Sequence, residues 1–353
     1  MFNTKTLFVI GAGASYEVGL PLGDTLLETI AGDLDYRIEH FNRPTSGNRV
    51  LFNAWMQHYG DNNVGMNAVI DAARKIHHAH GFANSIDQFI DTHHTDELVA
   101  FCGKCAITLF ILEEERKSDI YVDSDDRNAR LKLKKEFEPW FVPFSKMLFE
   151  GVRVDRIDTL FDNLSIVCFN YDRCIEHFLA YSISQHYQVN IGDARQLVYE
   201  KLKIIHPYGQ VGDLPIPNNR HGVNFGEAIG GERLIEVSSM INTFTEQRDE
   251  GKMDAVKAEV SNAETVVFLG FGFLPDNMEI LIPNNGSKVD RIFATVFKES
   301  APNQENIRKA MRPFLSPRKG GQTMSFDMVR QRQYIENEEC WKILSTYRRA
   351  LSQ

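Results

Sequence analysis

The sequence predicts an α/β fold, a Rossmann-like parallel sheet with helices on both faces and a helical insertion. Three observations carry that reading. Short apolar runs recur along the chain, they are nearly continuous rather than alternating, and stretches of helical period separate most of them. A strand covered on both faces is apolar throughout, and parallel strands need a crossover between them, so this pattern belongs to a buried parallel sheet.

Taken in order, Thr6–Ile10 is a β-rich run that ends in Gly11-Ala12-Gly13-Ala14-Ser15, and a helix follows from Asp24, which suits an N-cap. From about 50 to 158 the period becomes helical: Val50–Tyr59, Met66–His80, Ser85–Leu112 and Leu131–Phe149. Strand-like runs return at Leu164–Asn170, Lys203–Val211, Thr265–Gly272 and Arg291–Phe297. The stretch 212–231, rich in Gly, Pro and Asn, reads as a long loop over a site. A terminal helix is expected around Tyr334–Leu351. The organisation predicted is a main domain over 1–305, with the insertion inside it, and a basic helical segment over 306–353 that contacts an oligomer mate or a partner.

The chain has 353 residues, of which 43% are hydrophobic, enough for one large core. No run approaches the ~20 apolar residues that span a bilayer, and no leader pattern is visible, so no membrane association and a cytoplasmic location are expected. The five cysteines are odd in number and lie in apolar segments, which suits reduced core thiols. A net charge of −9 speaks against direct nucleic-acid binding. From Asn306 onward, however, ten Lys/Arg face four Asp/Glu, a surplus of six that leaves −15 for the remainder.

Four constellations carry chemistry. A glycine turn between strand and helix lets backbone approach a pyrophosphate, because no Cβ intervenes. The dehydrogenase fingerprint would want glycine where Tyr16 stands and an acid closing a second strand, but Asp33 and Asp35 end a helix, so hydride transfer is not indicated. Phe169-Asn170-Tyr171-Asp172 follows an apolar strand. Asp172 suits a helix cap, while Asn170 stands at the sheet edge where such folds bind ligands and its amide suits a ribose hydroxyl or a water. In His206-Pro207-Tyr208-Gly209, His206 and Tyr208 share a face if the strand persists, and imidazole exchanges protons near neutrality. Gly270-Phe271-Gly272 with Asp276-Asn277 is another strand entering a loop, its acid either a cap or a ribose ligand.

In this order the motifs resemble the sirtuin superfamily, and among its branches the sirtuin-like NAD hydrolases of bacterial anti-phage defence more than the protein deacylases. Gly19-Leu20-Pro21 and Ser85-Ile86-Asp87-Gln88-Phe89 extend the likeness, although Ser85 and Gln88 also form a capping box. The deacylases' zinc module has two cysteine pairs. Here a single pair, Cys102 and Cys105, lies in an apolar helix, so no zinc is expected. The Phe-Arg pair that deacylases carry after the glycine turn is also missing.

The resemblance implies an NAD⁺ glycohydrolase that releases nicotinamide and ADP-ribose and acts by depleting NAD⁺ in abortive infection. It implies Gly11, Ala12, Gly13, Ala14 and Ser15 at the pyrophosphate, and Asn170 and His206 as catalytic residues. Tyr208, Gly270, Gly272, Asp276 and Asn277 complete the binding set. The family places its histidine directly before the glycine, where this chain has Tyr208, so either residue could fill that role. A homo-oligomer and a separately encoded partner, an ATPase or a nucleic-acid sensor, are implied as gating. Two other readings stay open: a sensor that binds NAD⁺ or ADP-ribose without turnover, and an NAD-dependent deacylase or ADP-ribosyltransferase.

Overall fold

The computed structural model describes every residue except 1, 40–42, 61–62, 124–125, 127–129, 134–137, 218, 220, 244–249, 285, 318–324 and 353. The chain begins with β1 (Thr6–Ile10), a short α1 (Ala12–Tyr16) and α2 (Gly23–Asp33). Asp24 lies in the first turn of α2 and not at its cap, which Leu22 occupies; the acid still favours that end of the helix dipole. A small antiparallel pair, β2 (Ile38–Glu39) and β3 (Arg43–Pro44), precedes the insertion helices α3 (Arg49–Tyr59), α4 (Asn63–Ala79), α5 (Ile86–Thr92), α6 (Glu97–Lys117) and α7 (Phe141–Phe149).

The periodicity predicts one helix over Ser85–Leu112; the structure has two. The break falls at His93–Asp96 because Asp96 caps α6 by accepting from the Val99 amide. Ser85 caps α5 in the same way, and the Gln88 side chain takes the Asn84 amide. Of the helix expected over Leu131–Phe149, Phe141–Phe149 is helical, Leu131 to Leu133 are not, and 134–137 lie outside the described residues.

The second half alternates β4 (Leu164–Cys168), α8 (Cys174–Tyr187), α9 (Ile191–Lys201), β5 (Lys203–Ile205), α10 (Gly231–Ser238), α11 (Glu250–Asn262), β6 (Thr265–Leu269), α12 (Pro275–Leu281), β7 (Arg291–Thr295) and α13 (Ala301–Met311). It continues with α14 (Phe326–Arg330), β8 (Gln333–Glu336), α15 (Cys340–Thr346) and α16 (Arg348–Leu351). Six strands form one parallel sheet in the order β5-β4-β1-β6-β7-β8. β8 is a departure from the expected terminal helix: Gln333–Glu336 pairs in parallel with Ile292–Thr295 and so extends the sheet.

Alternate residues of each central strand feed opposite layers. Leu7 and Val9 join a core with α2 to α6 and α10 to α12, whereas Phe8 and Ile10 join one with α7, α8, α9 and α15. Trp55 is buried in the first core and Trp140 in the second. All five cysteines are unpaired and buried. Among the described residues no helix is long and apolar enough to cross a membrane.

Because β1 has β4 on one side and β6 on the other, the chain reverses its direction of travel across the sheet at β1. The carboxyl ends of β4, β1 and β6 therefore form a topological switch point, the place where open α/β sheets receive ligands.

Candidate functional site

The turn after β1 is held by backbone. The Gly11 amide donates to Leu269 O at 3.1 Å and the Gly13 amide to Gly270 O at 3.0 Å. The glycines are needed for this approach, since a Cβ on Gly11 would stand 2.6 Å from Gly270 O and one on Gly13 2.8 Å from Gly270 Cα. Gly270 is reciprocal, with φ +56° and an ideal Cβ only 2.1 Å from Ala14 N. The loops after β1 and β6 thus lie backbone against backbone. Gly272 differs: the nearest atom to its ideal Cβ is 3.9 Å away, and it is exposed.

Asn170 joins β4 to that turn. Its Nδ2 donates to Gly11 O at 3.1 Å and to Ser15 Oγ at 2.9 Å, both out of bulk water. Asp172, whose burial raises its pKa, accepts from the Cys174 amide at 3.1 Å, while Arg173 takes the cap position of α8. Tyr171 reaches the other way and donates to Asp87, which ties the Ser85–Phe89 segment to this motif.

The strand expected to run to Val211 stops at Ile205, since Pro207 has no amide to donate and Gly209 turns the chain at φ +75°. His206 and Tyr208 therefore do not share a face. Tyr208 donates to Asn277 Oδ1 at 2.7 Å, both buried. His206 holds Asn170 O through Nδ1 at 3.0 Å and Glu176 Oε1 through Nε2 at 3.0 Å. A carbonyl and a carboxylate only accept, so both ring nitrogens donate and the ring is an imidazolium. Burial opposes that charge, but the adjoining Cys168 and Glu176 outweigh it and raise the His206 pKa well above the usual histidine range. His206 stands between two cavities of about 210 and 550 Å³.

The structure thus brings Gly11, Gly13, Ala14, Ser15, Asn170, His206 and Gly270 into one connected cluster. Tyr208 and Asn277 bond to each other. Asp276 is exposed in the first turn of α12, where Leu274 holds the cap and Pro275 is the first helical residue. Sequence reasoning passes over Glu176, whose only signal is its place one helical turn after Asp172. Among the described residues no group of three or more His, Cys, Asp or Glu is placed to hold a metal ion.

Glu17, just beyond α1, is a second residue not singled out. Its carboxylate accepts the Trp140 amide at 2.7 Å and the Trp341 amide at 3.0 Å, so it clasps the starts of α7 and α15 together. Burial raises its pKa to about 7 against the pull of these amides. A carboxyl whose folded pKa exceeds its unfolded one stabilises fully below about pH 4.5, and that contribution disappears as pH rises through 7. The stability gap between parent and Glu17→Gln is expected to narrow by up to about 3 kcal/mol between pH 4.5 and 8, at about 1.4 kcal/mol per unit. Urea titrations at four pH values measure it, and a constant gap would refute the assignment.

No protein-family model matches the chain, and no curated protein matches it. Among solved structures it is similar to a Sir2 homologue in complex with NAD, at 11% identity and a TM-score of 0.38, over 99% of this chain and 92% of that one. It is also similar to a mutant Sir2 homologue bound to ADP-ribose, at 12% identity and a TM-score of 0.37, over 99% and 94%. A triple mutant bound to 2′-O-acetyl ADP-ribose aligns at 13% identity and a TM-score of 0.37, over 99% and 95%.

Proposed function

We propose that the chain binds NAD⁺ across the carboxyl ends of β4, β1 and β6 and hydrolyses the bond between nicotinamide and ribose. One observation supports this most. The glycine turn, Asn170 and His206, which are far apart in sequence, are joined by direct hydrogen bonds at the switch point of the sheet. These are motifs whose order resembles the sirtuin-like NAD hydrolases.

The chemistry suits such a cluster. Nicotinamide leaves as a neutral molecule from a cationic centre, so the protein has mainly to fix the diphosphate and ribose and to place water on the opposite face. In this reading the β1 and β6 loops, packed together by Gly11, Gly13 and Gly270, form the floor for the diphosphate, with Ala12, Ala14 and Ser15 beside it. Asn170 orients ribose or water. His206, with both ring nitrogens engaged, positions Asn170 rather than taking the first proton. Exposed Gly272 and Asp276 face the adenosine side, while Tyr208 and Asn277 brace each other.

We assign NAD⁺ depletion in anti-phage defence as the purpose, with a homo-oligomer or separate partner acting through the basic segment 306–353. A sensor that holds NAD⁺ intact is the second reading, and the fully engaged imidazole of His206 favours it. Incubation of the purified chain with NAD⁺, followed by chromatography of nicotinamide and ADP-ribose, separates the two. Asn170→Ala is expected to lower release about a hundredfold or more while the fold persists. Equal release from the folded variant would remove Asn170 from the mechanism.

A further inference from the structure

Two carbonyls of the glycine turn are held by residues outside the site motifs. Ala14 O accepts from the indole Nε1 of the buried Trp140 at 3.0 Å, and Gly13 O lies 4.0 Å from the Cys340 thiol. Cys340 also touches Thr295 Oγ1 at 3.9 Å, and that hydroxyl accepts the Gly270 amide at 2.9 Å. The loops after β1 and β6, which pack backbone against backbone, therefore rest on one buried pair of side chains, Cys340 and Thr295.

Cys340 opens α15, and the next residue completes the arrangement. Glu17, which directly follows α1, takes the Trp341 amide with Oε1 and the Trp140 amide with Oε2. Trp140 is thus held by its amide while its indole holds Ala14, which closes a ring of contacts from α1 through Glu17 to α7 and back to α1. The amides in the first turn of a helix have no partner within it, so the Trp341 N–H goes to Glu17 without loss to α15. Glu17 also does what the residue at the cap position does not, since the side chain of Glu339 makes no capping bond.

We infer that the first turn of α15 is a control element of the glycine turn. Seated against Glu17 and Gly13, it holds the turn in the geometry that packs it on the β6 loop; unseated, it lets the turn relax. The basic C-terminal segment is thereby built into the site, and anything that moves α15 acts on the turn through direct contacts, with no long relay between. The effect on NAD⁺ rests on the reading of the turn as the floor for the diphosphate; the mechanical link does not.

Hydrogen exchange read by mass spectrometry on the full chain, with NAD⁺ titration by calorimetry beside it, tests this at about pH 8, above the raised pKa of Glu17. Glu17→Gln keeps the shape but turns an N–H₂ group toward one of the two amides. Trp341→Pro removes the amide that Glu17 takes, in the first helical turn where proline is tolerated, and Trp341→Ala removes the indole but keeps the amide. In Glu17→Gln and Trp341→Pro, peptides spanning Gly11–Ser15 are expected to exchange at least about tenfold faster than in the parent, while those of α4 keep the parent's rate. Both variants are expected to bind NAD⁺ about tenfold more weakly, and Trp341→Ala to stay within about twofold of the parent. Parent-like exchange at the turn in the folded variants would overturn the proposal, as would parent-like NAD⁺ affinity where the turn exchanges faster, or a Trp341→Ala protein that behaves like Trp341→Pro. Should Trp341→Pro fail to fold, Glu17→Gln decides the matter alone. A parent that binds no NAD⁺ would sink the diphosphate reading, and the exchange rates would then decide whether α15 controls the turn.

Discussion

Arg173→Met is expected to unfold at far lower urea than the parent, with a loss of about 3–5 kcal/mol, and Glu115→Leu to behave alike. Both side chains are 0% exposed and meet through two contacts, Nε to Oε1 at 3.1 Å and Nη2 to Oε2 at 2.5 Å. The pair also anchors the long loop. Arg173 donates to Gly212 O, Val223 O and Asn224 O, while Glu115 accepts the Gly226 amide at 2.9 Å. Removing either partner strands a buried charge, which costs more than the pair contributes. The double variant should therefore recover part of the loss. Linear extrapolation of urea curves for parent, singles and double gives the coupling; additive losses would show that the two residues act separately. The loop lines both cavities beside His206.

The second large effect is expected at Gly270. Gly270→Ala must accept a left-handed φ of +56°, at about 1–2 kcal/mol, and place a methyl group where Ala14 N now stands at 2.1 Å. Both loops would have to part, and the expected total is about 3 kcal/mol or more, with loss of whatever the glycine turn binds. Gly272→Ala, two residues on, meets nothing nearer than 3.9 Å and should fold like the parent. If it nevertheless loses NAD⁺ affinity, the space over Gly272 is ligand space. Thermal melts and NAD⁺ titrations on the two variants measure both effects, and a Gly270→Ala protein as stable as the parent would contradict the close approach described here.

Much of the fold was legible because the strands of a doubly covered sheet are apolar on both faces. β1 coincides with its expected run, and β4, β6 and β7 start where their runs do. β8 escaped because it lies on the sheet's edge: of Gln333–Glu336 only Gln333 is buried, so the stretch lacks the continuous apolar pattern. The strand at β5 was overextended because apolar residues continue past Ile205 while Pro207 and Gly209 end the ladder. For the candidate site, residue type and position at strand ends were enough to single out Asn170, His206 and the glycines. What they bond to was not. That Gly13 packs on Gly270, that Glu176 holds His206, and that Tyr208 turns to Asn277 depend on contacts between segments about 30 to 260 residues apart, on which local pattern is silent.

Glu17 clasps an amide that lies 324 residues further along the chain. During synthesis the strand β1 and its glycine turn emerge before β8 and α15, and domains begin to organise as they emerge. The carboxylate beside that turn nevertheless waits for α15, and the sheet waits for β8. A nascent chain still tethered to the ribosome with those residues in the exit tunnel therefore carries every motif of the candidate site on an incompletely supported turn. If the proposed NAD⁺ hydrolysis holds, this order of assembly would confine competence to chains from which α15 and β8 have already emerged.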